Sequence, residues 1–297
     1  MRVASGTQFT NAGTINAFDS TPRDFIANNL AAIAVDGNGE IINSGTINLA
    51  GAIGVRGGML INSGNILQSA GPDARGVFGV TNLNNSGIIS TGQIAVTTGI
   101  FSSEIINSGT ITSTNAAAIG ASNSDRENTT RIINLAGGVI TGGTGRPAIA
   151  TSGNTYVENA GTINGNVNLA TFTFGTVPSV TVYAPSTYVN AGGTLNGDLL
   201  FGTGNDVFVG NGNNTGVTGT VDGGAGTDTF IYGLTSTGSI LIDDPAAFLA
   251  AAPVSSFENF GVGAIGADTT ATVSGPEAGL NSGLLFLAMA RSSTKPT

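Results

Sequence analysis

The chain has 297 residues, a net charge of −9 and no Cys, His or Trp. That composition excludes a disulfide framework, thiolate or imidazole metal sites, and Ser-His-Asp or Cys-His catalytic relays. Between Arg146 and Arg291 there is no cation while ten acids occur, so the second half repels phosphate backbones and anionic membranes, and nucleic acid is not expected as a partner.

Charged residues make up 9% of the chain, against about 25% in an ordinary domain. Asn, Thr, Ser and Gly must therefore supply the polar surface. The 40% hydrophobic share, rich in Ile and Val, argues for a buried core and against disorder. The longest apolar runs, such as Leu284 to Ala290, fall far short of the roughly 20 residues that span a bilayer, so no transmembrane segment is expected. Met1 to Thr10 lack the basic-then-apolar pattern of a signal peptide, and any export signal is expected outside this chain. The absence of Cys is common among cytosolic proteins by chance, and it also suits a chain that must cross an oxidising periplasm unfolded.

Along the chain a pentapeptide Asn-(Ala/Ser)-Gly-x-Ile begins at Asn11, Asn43, Asn62, Asn85, Asn107 and Asn159, with looser copies at Asn134 and Asn190. Two residues before each Asn stands Phe9, Ile41, Leu60, Leu83, Ile105, Ile132, Val157 or Tyr188. Four after it in the six full copies stands Ile15, Ile47, Ile66, Ile89, Ile111 or Ile163. Offsets of equal parity share one side of an extended chain, so these columns face a core, with Asn and Gly at the corner between two strands. A second apolar pair upstream, such as Ile33 with Val35 or Ile53 with Val55, predicts a further strand in each repeat.

A repeat of some 22 residues cannot bury its apolar face alone, so stacking of successive repeats is required. The expected fold is all-β, a right-handed parallel β-helix, with residues about one repeat apart lying on top of one another. Residues 1–198 form the helix of Asn-Ser-Gly-Thr-Ile coils, 199–290 form C-terminal coils with a capping segment, and 291–297 form a disordered tail. Leucine-rich repeats share the period but not the Leu-x-x-Leu-x-Leu pattern, and an antiparallel sandwich is the stronger rival.

In the C-terminal third, Phe201-Gly-Thr-Gly-Asn-Asp206-Val-Phe208 and Gly223-Gly-Ala-Gly-Thr-Asp228-Thr-Phe230 match the nonapeptide of calcium-binding β-rolls, the second in full and the first with Phe201 in place of a Gly. Asp206, Asp222 and Asp228 are therefore candidate Ca²⁺ ligands, since hard carboxylate and carbonyl oxygens suit that ion. The competing reading has these Asp side chains capping tight Gly turns, because the two copies are 22 residues apart and not in tandem. Phe248, Phe257 to Phe260 and Thr269 to Ser274 are expected in the last coils and their cap.

The Asn-Ser-Gly-Thr-Ile repeats, followed by Gly223 to Phe230, Ser256-Phe-Glu-Asn-Phe260 and Thr270-Ala-Thr-Val-Ser-Gly275, resemble the passenger domains of bacterial autotransporters. The resemblance implies a chain displayed at the outer membrane of a Gram-negative cell, threaded through a translocator barrel that would lie outside this chain. It also implies a structural or adhesive role, with a host glycan, matrix or a second copy as partner. Two alternatives stand beside it: a polysaccharide-active lyase or glycosidase, and a calcium-stabilised secreted binding module. For the glycosidase, Asp206 and Asp228 sit one repeat apart, within the spacing such carboxylates need. Against a glycosidase, they lie in Gly turns without basic neighbours, and Asp243 and Asp244 are adjacent and point apart; against a lyase, which needs an Arg or Lys base, Arg56, Arg75, Arg126, Arg131 and Arg146 are scattered one per coil. Asp125 to Glu127 read as a solvated loop.

Overall fold

The computed structural model describes residues 1–18, 31–69, 74–99, 101–122, 127–170, 184–211, 215–234, 236–241, 254–265, 270–274 and 284–288. Asp125, Arg126, Asp243, Asp244, Phe248 and the 291–297 tail lie outside the described residues. Among those described, the regular structure is entirely strand. No helix is long and apolar enough to cross a membrane.

The chain winds as a parallel β-helix with three sheets. Sheet I has ten strands, from Arg2–Val3 to Val221–Asp222. Sheet II has twelve, from Gln8–Asn11 to Leu284–Ala288. Sheet III has eight, from Thr14–Phe18 to Thr194–Asn196. Each full coil visits I, II and III in turn, and every strand pairs in parallel with its counterpart one coil away. All pairings among the named strands are parallel, which rules out the antiparallel sandwich. Strand over strand at about 4.8 Å per coil gives a rod on the order of 50 Å long.

Register follows the repeat. In sheet III, Ile47, Ile66, Ile89 and Ile111 are successive partners, each fully buried. In sheet II the column runs Ile41, Leu60, Leu83, Ile105, Ile132 and Val157, and in sheet I it runs Val55, Val77, Val96, Ile119 and Ile149. These three columns meet in one continuous hydrophobic core, which a single coil could not close. Phe9 and Ile15 are only half-buried, since among the described residues their strands pair on one side only.

The corner between sheets II and III explains the motif. Asn11, Asn43, Asn62, Asn85, Asn107, Asn134 and Asn159 stack with each Nδ2 donating to the next Oδ1 at 2.7–2.9 Å. The second amide hydrogen turns back to the carbonyl of the motif Gly, as from Asn85 to Gly87 at 3.2 Å. The Asn carbonyl accepts two backbone N–H groups from the coil above, as Asn62 does from Ser86 and Gly87. Gly is required because coils touch here: a Cβ on Gly64 or Gly87 would sit 2.0 Å from the carbonyl oxygen of Gly45 or Gly64.

Sheets I and II continue through residue 198 by the pairings Val167 to Leu199 to Val221 and Tyr188 to Phe208 to Phe230 to Phe260. The core column of sheet II thereby changes from aliphatic to aromatic.

Candidate functional site

Asp206 and Asp228 occupy the first inward position of sheet II strands. Lower in the rod that position holds Ser103, Thr130, Thr155 and Ser186, all buried. There the backbone N–H of Ser103 donates to Thr129 O and that of Thr130 to Asn154 O, both at 3.0 Å. Higher up, side-chain carboxylates accept the corresponding N–H groups. Ser186 N–H donates to Asp206 Oδ1 at 2.5 Å, Asp206 N–H to Asp228 Oδ1 at 2.7 Å, and Asp228 N–H to Glu258 Oε2 at 2.8 Å. Asp206 Oδ2 also accepts from Gly202 N at 3.3 Å. The Gly turns must be Gly: Gly224 and Gly226 have φ of +86° and +154°, and a Cβ on either would strike the carbonyl of Gly202 or Gly204 below.

Asp206 is 1% exposed and Asp228 0%, so the pair offers no face to a substrate sugar. Burial pushes the Asp206 carboxyl up to about 6 against the amide of Ser186, and the nearby Asp228 charge adds to the rise. Asp228 is raised as well, first by burial and then by Glu258 and Asp222, while the Asp206 amide opposes. Its Oδ2 is buried without a hydrogen-bond partner, the place where a proton is best held.

The three sequence candidates are not brought together around one point. Asp222 ends the sheet I strand Val221–Asp222, where its Oδ1 accepts from Gly224 N at 3.2 Å. Among the described residues no three acidic side chains converge as a metal site. Calcium requires about six to eight oxygen ligands, whereas Asp206 is surrounded by N–H donors that a cation would repel. The residues present thus fit the turn-capping role better than a calcium shell.

A second feature lies at the corner between sheets III and I. Between Thr141 and Ile149 the chain makes a loop over 142–148, whereas one and two coils higher the same corner needs only 165–166 and 197–198. The long loop overhangs the two short corners. The step leaves a groove of about 490 Å³, lined among others by Thr141, Arg146, Pro147, Asn164, Asn166 and Asn168. Sequence reasoning placed Arg146 among scattered cations and passed over the groove. The signal was the insertion Gly142-Gly-Thr-Gly-Arg-Pro147 between two strand patterns.

No family model matches the chain, and neither a curated protein nor a solved structure matches it.

Proposed function

We propose that the protein is a structural and adhesive rod, the passenger part of an autotransporter displayed at the outer surface of a Gram-negative cell, with its translocator barrel outside this chain. The outer face of sheet III carries the reading. There Thr14, Thr46, Asn65, Ile88, Thr110, Val139, Thr162 and Thr194 form one row. Asn16, Asn48, Leu67, Ser90, Thr112, Thr141, Asn164 and Asn196 form the row beside it. The buried Ile column beneath fixes these side chains at coil spacing, so over eight coils the face presents rows of hydroxyls and amides interrupted by Ile88, Val139 and Leu67. Such a surface suits repeated, individually weak contacts with glycan, matrix or another copy of itself.

The test is to display the chain on cells through an outer-membrane barrel and score aggregation and retention on matrix-coated and glycan-coated surfaces. Displayed cells are expected to aggregate or adhere above barrel-only cells. Substituting Thr46, Thr110 and Thr162, which lie in one outer row on non-adjacent coils, with Glu should abolish the gain without unfolding the rod. Equal behaviour of displaying and barrel-only cells on every surface would overturn the reading.

A further inference from the structure

We propose that the groove beside the 142–148 loop binds a terminal sugar acid, a saccharide whose last residue carries a single carboxylate. This inference rests on the adhesive reading above and names one ligand class and one place for it.

Arg146 supplies the anion contact. It is exposed and makes no ion pair among the described residues, where the pairs present are Arg2 with Asp36 and Arg131 with Glu104. It is also the sole cation between Arg131 and Arg291. A guanidinium presents five donors in a planar fork that matches a carboxylate edge on.

The floor supplies the hydroxyl contacts. Asn164 Oδ1 accepts from Asn196 Nδ2 at 2.8 Å and its Nδ2 donates to Thr141 Oγ1 at 3.2 Å. Asn166 Oδ1 accepts from Asp198 N at 3.0 Å and its Nδ2 donates to Asp198 Oδ2 at 3.2 Å. Both amides are therefore held in orientation before any ligand arrives, and each keeps one N–H for a sugar hydroxyl. Pro147 and Leu200, half-buried in the lining, offer apolar surface to the C–H face of a sugar ring.

The surroundings restrict the charge of the ligand. Asp198 lies one coil above Asn166, and the chain as a whole carries −9. A long polyanion would place most of its charges against this anionic surface, whereas a single terminal carboxylate reaches Arg146 alone. The groove therefore selects chain ends over polyuronate or sulfated stretches.

The experiment is isothermal titration of the full chain with four probes: a trisaccharide ending in a nine-carbon sugar acid, a disaccharide ending in glucuronate, and the same two with the carboxyl reduced to an alcohol. At least one acidic probe should bind, and reduction of its carboxyl should weaken binding about tenfold, as expected for loss of one charge-assisted pair. Arg146→Gln should weaken the acidic probe by the same factor and leave the reduced probe unchanged. Which acidic probe binds separates a nine-carbon acid from a uronate source. The proposal is overturned if neither acidic probe binds, if acid and alcohol bind alike, or if Arg146→Gln changes nothing. Cells displaying Arg146→Gln that still aggregate and adhere through sheet III would show the rod reading intact whichever way the groove test falls. Loss of adhesion by cells displaying the unsubstituted chain would strike that reading instead.

Discussion

The coils between Gln8 and Asn164 and those between Ser186 and Val262 meet one requirement, polar groups buried at every level, by different chemistry. The lower coils stack neutral amides from Asn11 to Asn159. The upper coils stack carboxyls at Asp206, Asp228 and the exposed Glu258. A primary amide both donates and accepts, so each Asn satisfies its neighbours above and below, and the ladder can repeat without limit. A carboxylate only accepts. It can stack only by taking backbone N–H groups, and each added level brings like charges closer, which accounts for so short a column ending at the solvent. The aromatic column Tyr188, Phe208, Phe230 and Phe260 takes over in the same coils, where the sheet III core column runs out after Leu195 and its bridge partner Val217.

The sharpest way to break the lower half is Gly87→Ala. Its Cβ would lie 2.0 Å from Gly64 O, and only a backbone shift can relieve that, so a loss of about 3–5 kcal/mol is expected. The equivalent Gly13, in the first coil, has nothing within 4 Å of its Cβ position, so Gly13→Ala should stay within about 0.5 kcal/mol. Denaturant midpoints of the two variants check this, and equal losses would refute the coil-contact account of the motif. Next in size is Asn85→Ala, which removes the bonds to Asn62 and Asn107 and orphans their buried partners, at about 3 kcal/mol. Asn11→Ala, at the end of the ladder, should cost only about 1 kcal/mol. Amide exchange over 82–113 would show whether the damage centres on that level.

The lower half was legible because identical residues recur at equal parity: the positions of Ile47, Ile66 and Ile89 in one buried column follow from the pattern alone. The upper half was legible as a motif and not as a mechanism. Asp206 and Asp228 stand out by their Gly neighbours, but what they accept from depends on register with residues 20 and 22 positions away, and on burial that short-range pattern does not encode. The groove escaped notice for a different reason. It arises from a difference in corner length between adjacent coils, and a search for what repeats discards the coil that does not.

Acidity separates the halves next. Asp206 titrates near 6 in the folded chain, above its ordinary 3.8, and Asp228 is displaced the same way. A folded value raised above the unfolded one means the fold holds more protons between them. The stabilisation from Asp206 is therefore complete below about pH 4 and lost as pH rises through about 6, on the order of 3 kcal/mol. The asparagine ladder has nothing to titrate. Amide exchange corrected for its intrinsic pH dependence should show residues 199–234 loosening between pH 4 and 7 while 82–113 hold steady. Asp228→Asn should flatten that dependence and tighten the upper coils at pH 7. Upper coils that tighten with rising pH would contradict the buried-proton account.

The smallest effect tests whether the halves communicate. Phe230 stacks on Phe208 at 5.4 Å and 22° and meets Phe260 at 5.9 Å. Phe230→Leu keeps the site apolar, so about 1–1.5 kcal/mol should be lost with the ring contacts. In a solenoid each coil touches only its neighbours, and stability is close to a sum of coil and interface contributions. The loss should accordingly appear in exchange over 199–234 and 257–264 and leave Ile105 and Ile132 protected as before. If instead the whole rod loosens by the same amount, the amide and carboxyl ladders belong to one cooperative unit, and a charge placed at Asp228 is felt along the full asparagine column.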